Sequence, residues 1–216
     1  MKPRSSGQHA QVPRRANRNA FTLVELLAVL FTTCLVFTLL LTTVAASKPN
    51  TAATLCMNNH RRLVLAWRMY AQENGENLIC NRDGPYTGRS SADAAWVGGW
   101  LDYGTGTDNP NVSLLVDHFQ WPYGAYLGPY VHSSYVFKCP ADRSAVDIAG
   151  VQMPRVRSIS MSCFVGHKSR AWTSPSRYSV YTKVPQIQAP SRVFVLLDEH
   201  PASINDGCFF SNPDVR

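Results

Sequence analysis

The hydrophobic pattern divides the chain sharply at residue 21. Residues 1–20 are polar, and no hydrophobic period runs through them. Residues 21–46 (FTLVELLAVLFTTCLVFTLLLTTVAA) are 26 residues with a single charge, Glu25. A helix rises about 1.5 Å per residue, so roughly 20 such residues are expected to cross a bilayer core. After Pro49 the pattern changes. Cys56, His60, Leu63, Trp67 and Tyr70 recur at alternating spacings of four and three, which predicts one apolar face of an amphipathic helix. Asn50 or Thr51 is placed to cap its start, and Asn74-Gly75 to stop it. The two stretches read together as one long helix with a bend at Pro49.

Beyond residue 76, Gly, Pro, Asn, Asp and Ser break the chain into short runs. Tyr135-Val136-Phe137, Ser158–Val165 and Arg192–Leu197 read as strands, and residues 81–134 as loop. The expected fold is α+β. A long N-terminal helix, its first half membrane-spanning, packs on a small antiparallel sheet with long loops. The expected organisation is a basic leader at 1–20, a transmembrane and assembly helix at 21–46, an amphipathic continuation at 47–75 and a β-rich domain at 76–216.

Charge sharpens this picture. The formal net charge is +7, but Lys2, Arg4, Arg14, Arg15 and Arg18 supply five positive charges in a leader without Asp or Glu. The rest of the chain carries +2 and has no basic stripe, which argues against nucleic acid as a partner. Positive charge ahead of an apolar run predicts a cytoplasmic N-terminus and an exported C-terminal part. Glu25 needs an explanation, because a carboxylate deep in hydrocarbon costs about 2.5–3.5 kcal/mol. It stands four residues past Phe21. A cut between Ala20 and Phe21 creates an α-amine at the same depth, and that amine can pair with Glu25 of a neighbouring copy.

The run Phe21-Thr22-Leu23-Val24-Glu25-Leu26-Leu27, after a basic leader, resembles the cleavage and methylation motif of type IV pilins and type II secretion pseudopilins. The resemblance implies cutting by prepilin peptidase before Phe21 and N-methylation of Phe21. It also implies an assembly role for Glu25. Where the family usually has Gly before the cut, this chain has Ala20.

A looser resemblance covers much of the remainder. Cys56–Leu63, Trp67–Asn74, Phe137–Asp142 and Asp198–Gly207 are similar to protein G-like pseudopilins of planctomycetes and verrucomicrobia. Those chains usually continue to a His followed nine residues on by Asp-Gly. This one reaches Arg216 before such a segment, which implies a C-terminally short domain. The implied localisation is the inner membrane, single-pass, with the C-terminal domain periplasmic. The implied partners are the peptidase, other pseudopilin subunits and that membrane.

Other residues offer weaker chemistry. Of six cysteines, Cys34 lies in the apolar run. Cys56, Cys80, Cys139, Cys163 and Cys208 remain as disulfide candidates, with no connectivity given by the sequence. Asp198, Asp206 and Asp214 carry oxygen ligands that suit calcium, and major pseudopilins often hold calcium in a C-terminal loop. The spacing matches no EF-hand, however, and Asp206-Gly207 is also an ordinary turn. Apart from that candidate Ca²⁺, no cofactor is expected. The histidines share no metal-binding spacing, and the tryptophans serve a core better than a glycan groove. No nucleophile, phosphate-loop or dinucleotide motif is present, so no enzyme activity is expected. The competing reading is a periplasmic binding domain, either anchored or released behind a conventional signal cut after Val44-Ala45-Ala46.

Overall fold

The computed structural model describes residues 22–46, 51–166 and 179–210. It divides into two compact units, Met1–Lys48 and Pro49–Arg216. The described part of the first is one helix, α1 (Leu23–Ala46).

Among the described residues no helix is long and apolar enough to cross a membrane, which overturns the expected membrane-spanning first half. Hydroxyls interrupt the apolar run of α1. Thr32 bonds back to the carbonyls of Ala28 and Val29, and Thr33 to those of Val29 and Leu30.

The second unit begins with α2 (Ala52–Glu73), and the expected bend at Pro49 lies outside the described residues. Thr51 caps α2 by accepting the Thr54 N–H at 3.2 Å. At the other end the Asn74 side-chain amide donates to the Tyr70 carbonyl at 2.8 Å, and Gly75 takes φ +62°, where a Cβ is disfavoured. Leu63, Ala66, Trp67 and Ala71 are the buried face of α2. Their burial is worth about 1.5–3 kcal/mol for each large side chain, an upper estimate. Around this face gather Ile79, Trp96, Leu115, Leu127, Phe137 and Met161. Trp96 stacks on Phe137 at 5.9 Å and donates its indole N–H to the Gly207 carbonyl at 2.8 Å. Short helices α3 (Ser113–Val116) and α4 (Gly128–Val131) punctuate the long loop region.

The sheet differs from expectation. The fully buried β3 (Ile159–Ser162) is its centre, with β4 (Leu196–Asp198) antiparallel on one side. β5 (Cys208–Phe209) pairs on the other side in parallel, Met161 facing Cys208, so the sheet is mixed rather than antiparallel. Parallel pairing follows from the route of the chain. After β4 it crosses to the far edge of β3 through residues 199–207, and buried arginines hold that crossing in place. A separate hairpin pairs β1 (Ala145–Ile148) with β2 (Val151–Pro154) across Ala149-Gly150, both at positive φ.

The expected strand at Tyr135–Phe137 is instead a 3-10 turn, Ser134–Phe137. Its β propensity gives way to packing, because the turn buries Val136 and Phe137. Asn59 of α2 ties it down, donating to the carbonyls of Tyr135 and Lys138 at 3.3 and 3.1 Å.

Candidate functional site

Two places carry chemistry, one in each unit. The first is the start of α1. Ala20 and Phe21 lie outside the described residues. Thr22 and Glu25 form a reciprocal cap. The Thr22 N–H and hydroxyl both donate to Glu25 Oε2 at 2.9 Å, and the Glu25 N–H donates to Thr22 Oγ1 at 3.3 Å. This is a capping box, in which a Thr and a Glu three residues apart satisfy otherwise orphaned N–H groups of a first helical turn. Glu25 therefore has a local role in the single chain. Behind it the apolar side chains of α1 are exposed on every side, among them Leu23 (75%), Phe31 (70%) and Phe37 (67%). Cys34 is exposed among them.

The second place is where α2, the segment after the 3-10 turn and the end of β4 meet. Among the described residues the ligand atoms of Cys56, Cys139 and Asp198 lie within 4.8 Å of one another. Cys139 is positioned through its backbone, since its N–H donates to Ser158 Oγ at 2.8 Å. The Ser158 hydroxyl in turn donates to Asp198 Oδ1 at 2.5 Å. Burial pushes the Cys56 thiol up to about 12, and hydrogen bonding to Cys139, the Cys139 charge and the Asp198 charge add to the rise.

His60, one turn along α2 from Cys56, borders a cleft lined by Val64, Trp67, Val195 and Leu196. Partial burial holds its pKa below the ordinary 6.5, and the Asp198 carboxylate opposes that shift. A histidine with a depressed folded-state pKa contributes stability above its unfolded value. That contribution is lost as pH falls through the folded value, because the unfolded chain takes the proton first. Urea denaturation of wild type should therefore show stability falling as pH drops below about 6.5. His60→Gln should show a shallower fall over the same interval. Parallel curves for the two proteins would remove His60 from the acid response.

Of the candidate calcium residues, Asp214 lies outside the described residues, and Asp198 belongs with the two cysteines. Asp206 is buried and turned inward, its two oxygens accepting the N–H groups of Gly84 and Cys208 at 2.7 and 2.8 Å. Burial raises its carboxyl pKa, and those two bonds and Arg157 oppose the rise. Two buried arginines secure the same loop. Arg155 donates to the carbonyls of Pro201 and Ile204 at 2.6 and 2.8 Å, and Arg157 to that of Asp206 at 2.8 Å. Burial brings the Arg157 pKa down to about 10, and the Asp206 and Glu199 charges oppose that fall.

Nothing in the sequence pattern marked these arginines, which sit two residues apart among others that are solvated. Cys163 and Cys208 form a disulfide beside the β3–β5 pairing. Cys80 is buried and free. Trp67 and Trp96 are core residues. Compared with family models, curated proteins and solved structures, the chain matches none.

Proposed function

We propose that this chain is a structural subunit of a pseudopilin-type filament, cut by prepilin peptidase before Phe21 and assembled through α1. The observation that carries the reading is α1 itself. It is apolar around its whole circumference, its described side chains are exposed, and its one charge stands in the first turn. An all-apolar helix is unstable against water and needs a cover. The cover proposed is α1 of neighbouring copies, or of related subunits. At about 25 cal/mol per Å², packing such faces against one another is a large favourable term.

The leader would keep the helices apart until it is removed, because each copy carries five positive charges there. Removal exposes the Phe21 amine, the cation that Glu25 of an adjacent copy can use. The body, Pro49–Arg216, is then the exported part displayed on the filament surface. This reading assigns no catalysis to the chain.

Cys34 supplies a native probe, because it is exposed on α1. A flexible bis-maleimide added to cells expressing the full chain should give a crosslinked dimer, since each chain offers one exposed thiol for the reagent. Cys34→Ser should abolish that dimer without changing expression. A wild type that stays monomeric under these conditions contradicts assembly through α1. It leaves the released binding domain as the better reading.

A further inference from the structure

We propose that Cys56 and Cys139 are partners in a second disulfide, which pins the N-terminal end of α2 to the segment leaving the 3-10 turn. The two residues are remote in sequence, but the fold delivers their sulfurs to one place. Asn59 of α2 holds the carbonyls of Tyr135 and Lys138, which flank Cys139 on its N-terminal side. Ser158 holds the Cys139 N–H from the other direction. The two sulfurs lie within 4.8 Å of each other, a gap that rotation of the side chains can close.

Cysteine parity supports the pairing. Of the five cysteines in the body, Cys163 and Cys208 are bonded, and Cys80 is buried beside Tyr126. Cys56 and Cys139 are the two that remain, and they face each other. The existing bridge already calls for an oxidising environment, in which adjacent thiols do not persist.

A metal ion fits the same cluster less well. A closed zinc site takes four protein ligands. Among the described residues only Asp198 joins the two sulfurs, and one of its oxygens already accepts the Ser158 hydroxyl. His60 is outside the group and borders the apolar cleft.

The oxidation balances with a small-molecule disulfide such as glutathione disulfide. One cysteine thiolate attacks it, forming a mixed disulfide and releasing one glutathione. The second cysteine sulfur then displaces the other glutathione. Two electrons pass from the cysteine sulfurs to glutathione, and the two thiol protons end on the two glutathione thiols. In the folded chain Cys56 resists ionisation, so the bridge is expected to form during folding rather than after it.

The test is peptide mapping of the full chain, refolded in a glutathione redox buffer, quenched in acid, treated with N-ethylmaleimide and digested without reduction. Two linked peptides are expected, Cys56–Cys139 and Cys163–Cys208, with Cys34 and Cys80 carrying the label. In Cys139→Ala, Cys56 should become labelled while Cys163–Cys208 stays linked. The wild-type map decides the matter even if that variant does not fold. Labelling of both Cys56 and Cys139 in wild type overturns the proposal, as does a link from Cys56 to another cysteine. Repeating the map with zinc in the buffer separates the metal alternative. Free Cys56 and Cys139 that resist labelling until a chelator is added would make the cluster a metal site and overturn the bridge. None of these outcomes depends on cleavage at Phe21.

Discussion

Glu25→Gln is expected to abolish the Cys34-crosslinked dimer while leaving the monomer intact. Glutamine keeps the local role of Glu25. Its amide oxygen still accepts from Thr22, and Gln serves as well as Glu at that position of a capping box. What it removes is the charge. In a subunit contact shielded from water, a carboxylate and an amine about 4 Å apart attract by about 4 kcal/mol at an effective dielectric of 20, before desolvation is subtracted. A net effect of even about 1.4 kcal/mol is tenfold in association.

Glu25→Ala is the less informative change. It loses the charge and also the two bonds from Thr22, a cap worth about 1 kcal/mol. The pair of variants separates two roles. If Gln assembles normally and Ala does not, Glu25 is a helix cap and the intermolecular ion pair is wrong. If both fail to assemble with normal expression, the charge is the assembly contact. Crosslinking of Cys34 at matched expression, with circular dichroism of the purified monomer as a folding check, reads both.

The second large effect is on the stability of the body. Gly166→Ala should destabilise it by more than about 3 kcal/mol, enough to unfold a marginal domain. Gly166 sits at φ +73°, and an added Cβ would overlap the carbonyl oxygen of Ile79. Neither backbone can move away easily. The Gly166 N–H donates to the Tyr181 carbonyl at 2.8 Å, and its own carbonyl accepts from Asn81 at 3.1 Å. Asn81 also donates through its side chain to the carbonyls of Met161 and Ser162 at 3.3 and 3.0 Å. The collision therefore reaches the central strand β3. Gly150 is the control. It has φ +82°, but a Cβ there meets nothing within 4 Å. Gly150→Ala should cost only the left-handed conformation, about 1–2 kcal/mol. Urea denaturation of both variants measures the difference. Equal losses would mean that the contact with Ile79 relaxes and contributes little.

The parts of this fold that were legible in the sequence are those set by local rules. The apolar face of α2 followed from its spacing, and both of its ends from Thr51 and Asn74-Gly75. The apolar character of α1 was equally plain. What escaped depended on distant parts of the chain. Tyr135–Phe137 has strand propensity, but α2 claims it as a packed turn. β5 is two residues long and parallel, and nothing local marks it. Arg155 and Arg157 look like surface residues until the 199–207 crossing covers them. Cys56 and Cys139 meet only because α2 docks on the 3-10 turn.

The first turn of α1 carries a local signal of its own. Thr22-x-x-Glu25 is a capping-box sequence, so the carboxylate that seemed to require a partner subunit already had one three residues away. That finding does not remove the intermolecular reading, because a carboxylate has acceptor capacity beyond the bonds Thr22 makes. It does mean that the position of Glu25 alone no longer argues for a filament. The weight moves to the exposed apolar surface of α1 and to the junction at Phe21.

The most direct test is therefore the N-terminus of the mature protein. The full chain, expressed where prepilin peptidase is active and recovered from cells, should begin at Phe21 with an N-methyl group, as read by N-terminal sequencing and mass spectrometry. In cells lacking the peptidase it should retain residues 1–20. A mature chain that begins at Ser47, or one that keeps its leader whether or not the peptidase is present, would contradict the pseudopilin reading.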